Sequence, residues 1–227
     1  MSTIAARLAE LRSRIAVAAS ASGRDPAAVA LVAVSKRQPA SAVREAWEAG
    51  QRVFGENYAQ ELVAKAAELA DLDGLVWHMI GHLQTNKARA VAPLAHMVET
   101  IDSPALAAEL GKRATALGRV LHALVEVNVA GEASKSGCSE AALGAVVAAV
   151  RATPGLALRG LMTMPPLSDD PEASRPHFAR LCELRERHGG VAALPELSMG
   201  TSHDFEVAVA EGATLVRVGT ALFGARA

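Results

Sequence analysis

Short apolar runs recur along this chain, and alanine-rich stretches with helical spacing fill the gaps between them. The runs at 30–34, 52–54, 76–80, 97–100, 122–129, 157–162, 196–199 and 215–218 are predicted strands. Helices are predicted over 40–49, 57–70, 86–93, 104–117, 139–152, 171–188 and 203–211. Ser103-Pro104 and Asp170-Pro171 each set an N-cap residue before a proline at the first helical position. Gly50, Gly118 and Gly212 supply stops. Ahead of all these, Ile4, Leu8, Leu11 and Ile15 share one stripe and predict an extra N-terminal helix.

Strands separated by helices pair in parallel, and eight such units close into a (β/α)₈ barrel of the TIM type. An open doubly wound sheet would carry a glycine fingerprint after its first strand, and "VAVSKRQP" has none. With no linker, repeat or low-complexity tract, the expectation is an α/β chain with one barrel domain over 1–227 and no additional β-domain. A barrel carries its functional residues at the C-terminal ends of its strands. Those ends hold Lys36, Gly55-Glu56-Asn57, Gly81-His82-Leu83-Gln84, Thr100, Asp102, Asn128, Thr163, the run from Ser198 to Ser202, and Gly219-Thr220.

Composition narrows the partners. Net charge is -1 from 23 basic and 24 acidic residues, which leaves no footprint for nucleic acid or an acidic membrane. Aromatics are 3% of the chain, too few for a base-stacking platform. Cys138 and Cys182 have neither metal-ligand spacing nor a disulfide framework and read as reduced thiols. The apolar run 141–150 is shorter than a membrane span, and Arg7, Glu10, Arg12 and Arg14 interrupt any signal-peptide core. The expectation is a cytoplasmic protein acting on small molecules. His78 and His82 have zinc-ligand spacing, but that spacing works on a helix and "WHMIGH" reads as a strand entering a loop, so no metal site is expected.

A lysine after an apolar strand loses solvation, which favours the neutral amine, and a neutral amine can form a Schiff base with a carbonyl. In "SMGTSHDFEVAVAEG", Gly200 permits close backbone approach, and Thr201 and Ser202 offer hydroxyls and amides at a helix start. "LVRVGTALFG" sets Gly219-Thr220 at another helix start. Barrels commonly build phosphate sites from the loops after strands 7 and 8. Alternation points Arg217 into the barrel. Lysine, phosphate loops and arginine together suggest pyridoxal 5'-phosphate held as an internal aldimine on Lys36. Arg217 would face the pyridine nitrogen and, as a permanent cation, keep it unprotonated.

"LVAVSKRQP", "FGENYAQE", "WHMIGHLQTNKAR", "VEVNVAGEASKSGC", "LRGLMTMPP" and "ELSMGTSHDFEVAVAEGATLVRVGTALFGAR" resemble, in order, the motifs of the pyridoxal-phosphate homeostasis protein family, an alanine-racemase-like fold type III barrel. The resemblance implies a cofactor-binding protein of vitamin B6 and amino-acid homeostasis without established turnover. It implies Lys36 as the aldimine lysine and Asn57 beside the cofactor ring or its hydroxyl. Ser198, Gly200, Thr201, Ser202, Gly219 and Thr220 would hold the phosphate, with Met162 and Met199 as walls or backbone contacts. Thr201 stands where the family often has methionine, and His203 where alanine or aspartate is common. No catalytic residue is assigned.

The barrel alone leaves function open. A two-base racemase needs an acid/base on the second face of the cofactor, often a tyrosine from a partner's β-domain. This chain has one tyrosine, Tyr58, directly after Asn57. Cys138 reads as an inert thiol opening a helix. A small pyridoxal-phosphate racemase or lyase, and a cofactor-free Schiff-base aldolase using Lys36, remain the alternatives to a carrier. The carrier reading brings pyridoxal-phosphate-dependent apo-enzymes as partners and a monomer for want of a second domain; Lys135 reads first as a solvated loop lysine, with a phosphate or cofactor contact as its alternative.

Overall fold

Parallel strands 3 to 7 residues long follow one another around a closed barrel in chain order, in a computed structural model that describes residues 2–132 and 135–224. They are β1 (Ala30–Val34), β2 (Val53–Glu56), β3 (Val76–Met79), β4 (Met97–Ile101), β5 (Leu121–Glu126), β6 (Leu156–Met162), β7 (Glu196–Ser198) and β8 (Leu215–Val218). The sheet closes where β1 meets β8, with Ala30 opposite Leu215 and Val32 opposite Arg217. The helices are α1 (Ile4–Ala21), α2 (Ala40–Glu48), α3 (Ala59–Glu68), α4 (Ala88–Val91), α5 (Pro104–Ala116), α6 (Glu140–Ala152), α7 (Arg175–Arg187), α8 (Gly190–Ala193), α9 (Phe205–Ala210) and α10 (Thr220–Phe223). Ser103 and Asp170 cap as their sequence predicts, accepting from the Leu106 and Glu172 amides. Of the motif residues quoted above, Ala133, Ser134 and those at 225 and 226 lie outside the described residues.

Strand alternation sorts the side chains into two layers. Val32, Met97, Leu124, Met162 and Leu215 pack together inside the barrel. Their neighbours Ala33, Val98, Val125, Leu161, Val216 and Val218 face outward into the larger core shared with the helices. Each fully buried leucine or valine contributes about 1.5–3 kcal/mol, so this outer layer dominates stability. The helix after β8 has only four residues. α1 supplies the missing cover: it packs against α9, α10 and α2 and buries Ile4, Leu8, Leu11, Ile15 and Ala19. Arg14 fastens it to Glu206 at 2.6 Å, and Arg24 donates to the Val209 and Ala213 carbonyls at 2.6 and 2.8 Å.

Most element ends move by one or two residues from those expected, and the larger differences have local causes. β5 ends at Glu126, because the chain folds back there and Cys138 N–H bonds the Glu126 carbonyl while Asn128 N–H bonds that of Cys138. The helix expected over 171–188 begins as a 3₁₀ turn, Pro171–Ser174, before α7, and the short α8 has no counterpart among the expected helices.

Candidate functional site

One end of the barrel opens into a cavity of about 610 Å³. It is the end where the strands finish, and residues that follow every strand but β4 line it. Lys36 enters from β1, Asn57 from β2, Ile80 from β3, Thr201 and Ser202 from the β7 loop, and Gly219 and Thr220 from the β8 loop. Arg217 rises from below. The Arg217 guanidinium beside the Lys36 amine makes the inner part suited to an anionic, carbonyl-bearing molecule.

Arg217 sits one alternation above Leu215 and is 2% exposed. One terminal nitrogen donates to Ser198 Oγ at 2.5 Å and the other to the Thr163 carbonyl at 2.9 Å. Its Nε is buried without a partner. Glu99 completes the layer, accepting from Ser198 Oγ at 2.5 Å and lying 2.6 Å from His78 Nδ1. Burial works to raise the Glu99 carboxyl, but the His78 bond, the charges of His78 and Arg217, and the Ser198 bond hold it below the ordinary value. Burial lowers Arg217, while Glu99, Glu126 and Asp204 work to keep it charged. The result is a guanidinium fixed in orientation by Ser198 and Thr163 within the field of nearby carboxylates, with its Nε–H aimed at nothing in the protein.

Asn57 too has an unanswered polar atom, its Oδ1 being buried and unpartnered. Gly81 backs its main chain so closely that a Cβ there would lie 2.2 Å from the Asn57 carbonyl oxygen. Thr100 Oγ1 in turn donates to the Gly81 carbonyl at 2.8 Å. Across the cavity, Ser202 Oγ accepts from the Gly219 and Ala221 amides at 3.2 and 3.3 Å, tying the β7 loop to the β8 loop. Thr201 commits both its N–H and its hydroxyl to Asp204 Oδ1, at 2.7 and 2.9 Å, and Ser174 holds the other carboxylate oxygen at 2.7 Å.

Seven of the eleven expected site residues, namely Lys36, Asn57, Thr201, Ser202, Arg217, Gly219 and Thr220, share this cavity. The other four lie beneath or behind it. Met162 is in the barrel interior and Met199 in the outer core. Ser198 commits its hydroxyl to Arg217 and Glu99. Gly200 (φ +90°) takes a turn in which its carbonyl accepts from the Arg217 backbone N–H at 3.0 Å, and a Cβ would meet Ala208 at 2.5 Å. Lys135 reaches the rim and donates to the Pro165 carbonyl at 2.6 Å. Tyr58 is 45% exposed, and burial pushes the Cys138 thiol up to about 11. Sequence reasoning misses Asp204, Ser174 and the supporting role of Glu99. The signal for Glu99 is its alternation with Met97, which faces inward on β4.

Residues 6–227 match the family model described as alanine racemase, N-terminal domain. A pyridoxal phosphate homeostasis protein of Pseudomonas aeruginosa is 51% identical over 226 residues, which cover 100% of this chain and 97% of that one. The chain belongs to the pyridoxal phosphate homeostasis protein family. Its Escherichia coli K12 relative of the same name is 43% identical over 232 residues, with 100% and 98% covered. Among solved structures of the family, PipY of Synechococcus elongatus with PLP bound superposes with a TM-score of 0.83 at 41% identity, covering 98% of this chain and 100% of that one. The matched lengths put every cavity residue named above inside the family's shared barrel.

Proposed function

We propose that this chain binds pyridoxal 5'-phosphate in the cavity, anchored on Lys36, and acts as a carrier in vitamin B6 and amino-acid homeostasis without catalytic turnover. The observation that carries the reading is the meeting of Lys36, the orphaned Arg217 Nε and the Ser202–Gly219–Thr220 loops around one volume. The residues fit the group. When bound, pyridoxal phosphate supplies an aldehyde for amines and an aromatic ring that accepts electrons. Lys36 provides the amine. Arg217 offers its free N–H to the ring nitrogen, and its permanent charge keeps that nitrogen from taking a proton. Asn57 Oδ1 is free to accept a hydrogen bond. The hydroxyls and backbone amides of Ser202 and Thr220, with Gly219 letting the main chain approach, would hold the phosphate.

Proton chemistry supports a carrier without turnover. Tyr58 does not line the cavity and Cys138, buried, holds its proton well above neutrality. Neither is poised to move a proton on the cofactor's second face. A cytoplasmic monomer that hands the cofactor to apo-enzymes follows from this reading, and no described helix is long and apolar enough to cross a membrane. The alternative, a small racemase or lyase, predicts turnover. The test loads the protein with pyridoxal phosphate, removes the excess, and mixes it with an apo-aminotransferase and, separately, with a panel of L-amino acids. The carrier reading expects restored aminotransferase activity and no racemised or cleaved product. Sustained product formation on any amino acid would replace it with the enzyme reading.

A further inference from the structure

The two peptide groups that flank Lys36 are both held from outside the barrel. Lys65 on α3, with a side chain 8% exposed, directs its ammonium at the Ser35 carbonyl (2.6 Å), Glu56 Oε1 (2.6 Å) and Glu61 Oε2 (3.1 Å). The same Glu61 oxygen accepts the Arg37 N–H at 2.7 Å. The Ser35 hydroxyl donates to Glu56 Oε1 at 2.7 Å. The carbonyl before Lys36 and the N–H after it are therefore both fixed, and those two planes set the direction in which the Lys36 side chain leaves the backbone. Between them and α2 the chain passes through Arg37 at φ +58°, the one non-glycine residue in the left-handed region among the described residues.

This is a costly way to hold a loop. Burial pushes the Glu56 carboxyl up, and its Oε2 has no partner. Buried ion clusters of this sort seldom add stability over apolar packing of the same volume, and strained backbone collects where a functional geometry has to be kept. We infer that Lys65, Glu61 and Glu56 are positioning residues for Lys36, orienting its amine into the cavity through the peptides on either side. The inference rests on Lys36 as the cofactor's anchor and adds the machinery that aims it.

The test uses Lys65→Met, which keeps length and loses charge, Lys65→Arg as the conservative variant, and Glu61→Leu, which removes the Arg37 acceptor at a partly exposed position. Two quantities are measured. One is the rate of reductive methylation of Lys36 by formaldehyde and cyanoborohydride between pH 7 and 10, read on its peptide against the exposed Lys112 of the same sample. The other is the rate at which added pyridoxal phosphate develops its bound visible band. Lys65→Met and Glu61→Leu should change the Lys36 labelling profile and slow cofactor uptake by about tenfold or more, the scale on which misplaced reacting groups lose rate. Lys65→Arg should recover much of the loss. A wild-type labelling profile and uptake rate in both Lys65→Met and Glu61→Leu would overturn the inference, as would a lowered melting temperature with both rates unchanged in the folded protein. If Lys65→Met does not fold, Glu61→Leu decides alone. If wild type takes up no cofactor, the carrier reading falls, while the labelling comparison still decides whether these residues aim Lys36.

Discussion

Replacing Glu126 with glutamine removes a buried carboxyl that the fold leaves half unanswered. Glu126 ends β5, points inward by alternation with Leu124, is 7% exposed, and has its Oε2 buried without a partner. Burial is the main cause that raises this carboxyl to about 7; Asp102 adds to the rise and Arg217 opposes it. The folded protein therefore keeps the proton to a higher pH than the unfolded chain does. Stability contributed by the protonated group is present below the ordinary value near 4.5 and is lost as pH climbs through about 7. At about 1.4 kcal/mol per pH unit of difference, wild type should lose about 2–3 kcal/mol relative to Glu126→Gln between pH 5 and pH 8. With a urea dependence of about 2–3 kcal/mol per molar for a chain of this size, that is a relative midpoint shift of roughly 1 M. Urea unfolding of both proteins at pH 5, 6, 7 and 8 measures it. Glu56, Glu99 and every other titrating group is common to both, so the difference isolates Glu126. Parallel midpoint curves across this range would refute the reasoning by showing Glu126 ionised, or solvated, in the folded state.

Gly81→Ala puts a Cβ 2.2 Å from the Asn57 carbonyl oxygen, so it should lower Tm by on the order of 5 °C and weaken pyridoxal phosphate binding, read by calorimetry and titration of the visible band. Ser202→Ala strips the acceptor shared by the Gly219 and Ala221 amides. It should cost about 1 kcal/mol in urea unfolding and more in cofactor affinity than in stability. Arg217→Met leaves Glu99 buried beside a neutral side chain and should destabilise by about 3 kcal/mol. Adding Glu99→Gln should return part of that loss, a coupling that a double-mutant cycle measures directly.

Strand alternation survives tertiary context, which is why Leu215-Val216-Arg217-Val218 sorts into inward and outward positions from its residues alone, with Arg217 in the barrel. Likewise Ile4, Leu8, Leu11 and Ile15 announce α1, although nothing local says that it stands in for the short helix after β8. Val127-Asn128-Val129 continues the alternation of β5 to residue 129, and only the returning chain at Cys138 ends the strand sooner. The loops after β7 and β8 are legible through glycine and hydroxyl chemistry, yet which hydroxyl faces the cavity is not. Ser198 and Ser202 look equivalent in sequence, but one bonds Arg217 below the cavity floor and the other bridges two loops at its edge. Lys65 is half legible: it shares a helical stripe with Leu62 and Leu69, all three buried, but what its ammonium holds shows only where α3 meets the ends of β1 and β2.

Whether Lys36 carries the cofactor is read most directly by adduct mapping. Purified protein is incubated with pyridoxal phosphate, reduced with borohydride and digested, and the peptides are mapped by mass spectrometry for wild type and Lys36→Ala. Wild type should show a visible band that borohydride abolishes and a pyridoxyl group on the Lys36 peptide, both missing from the variant. A wild-type protein that stays colourless, or one whose stable adduct forms elsewhere with Lys36 unmodified, would contradict Lys36 as the anchor.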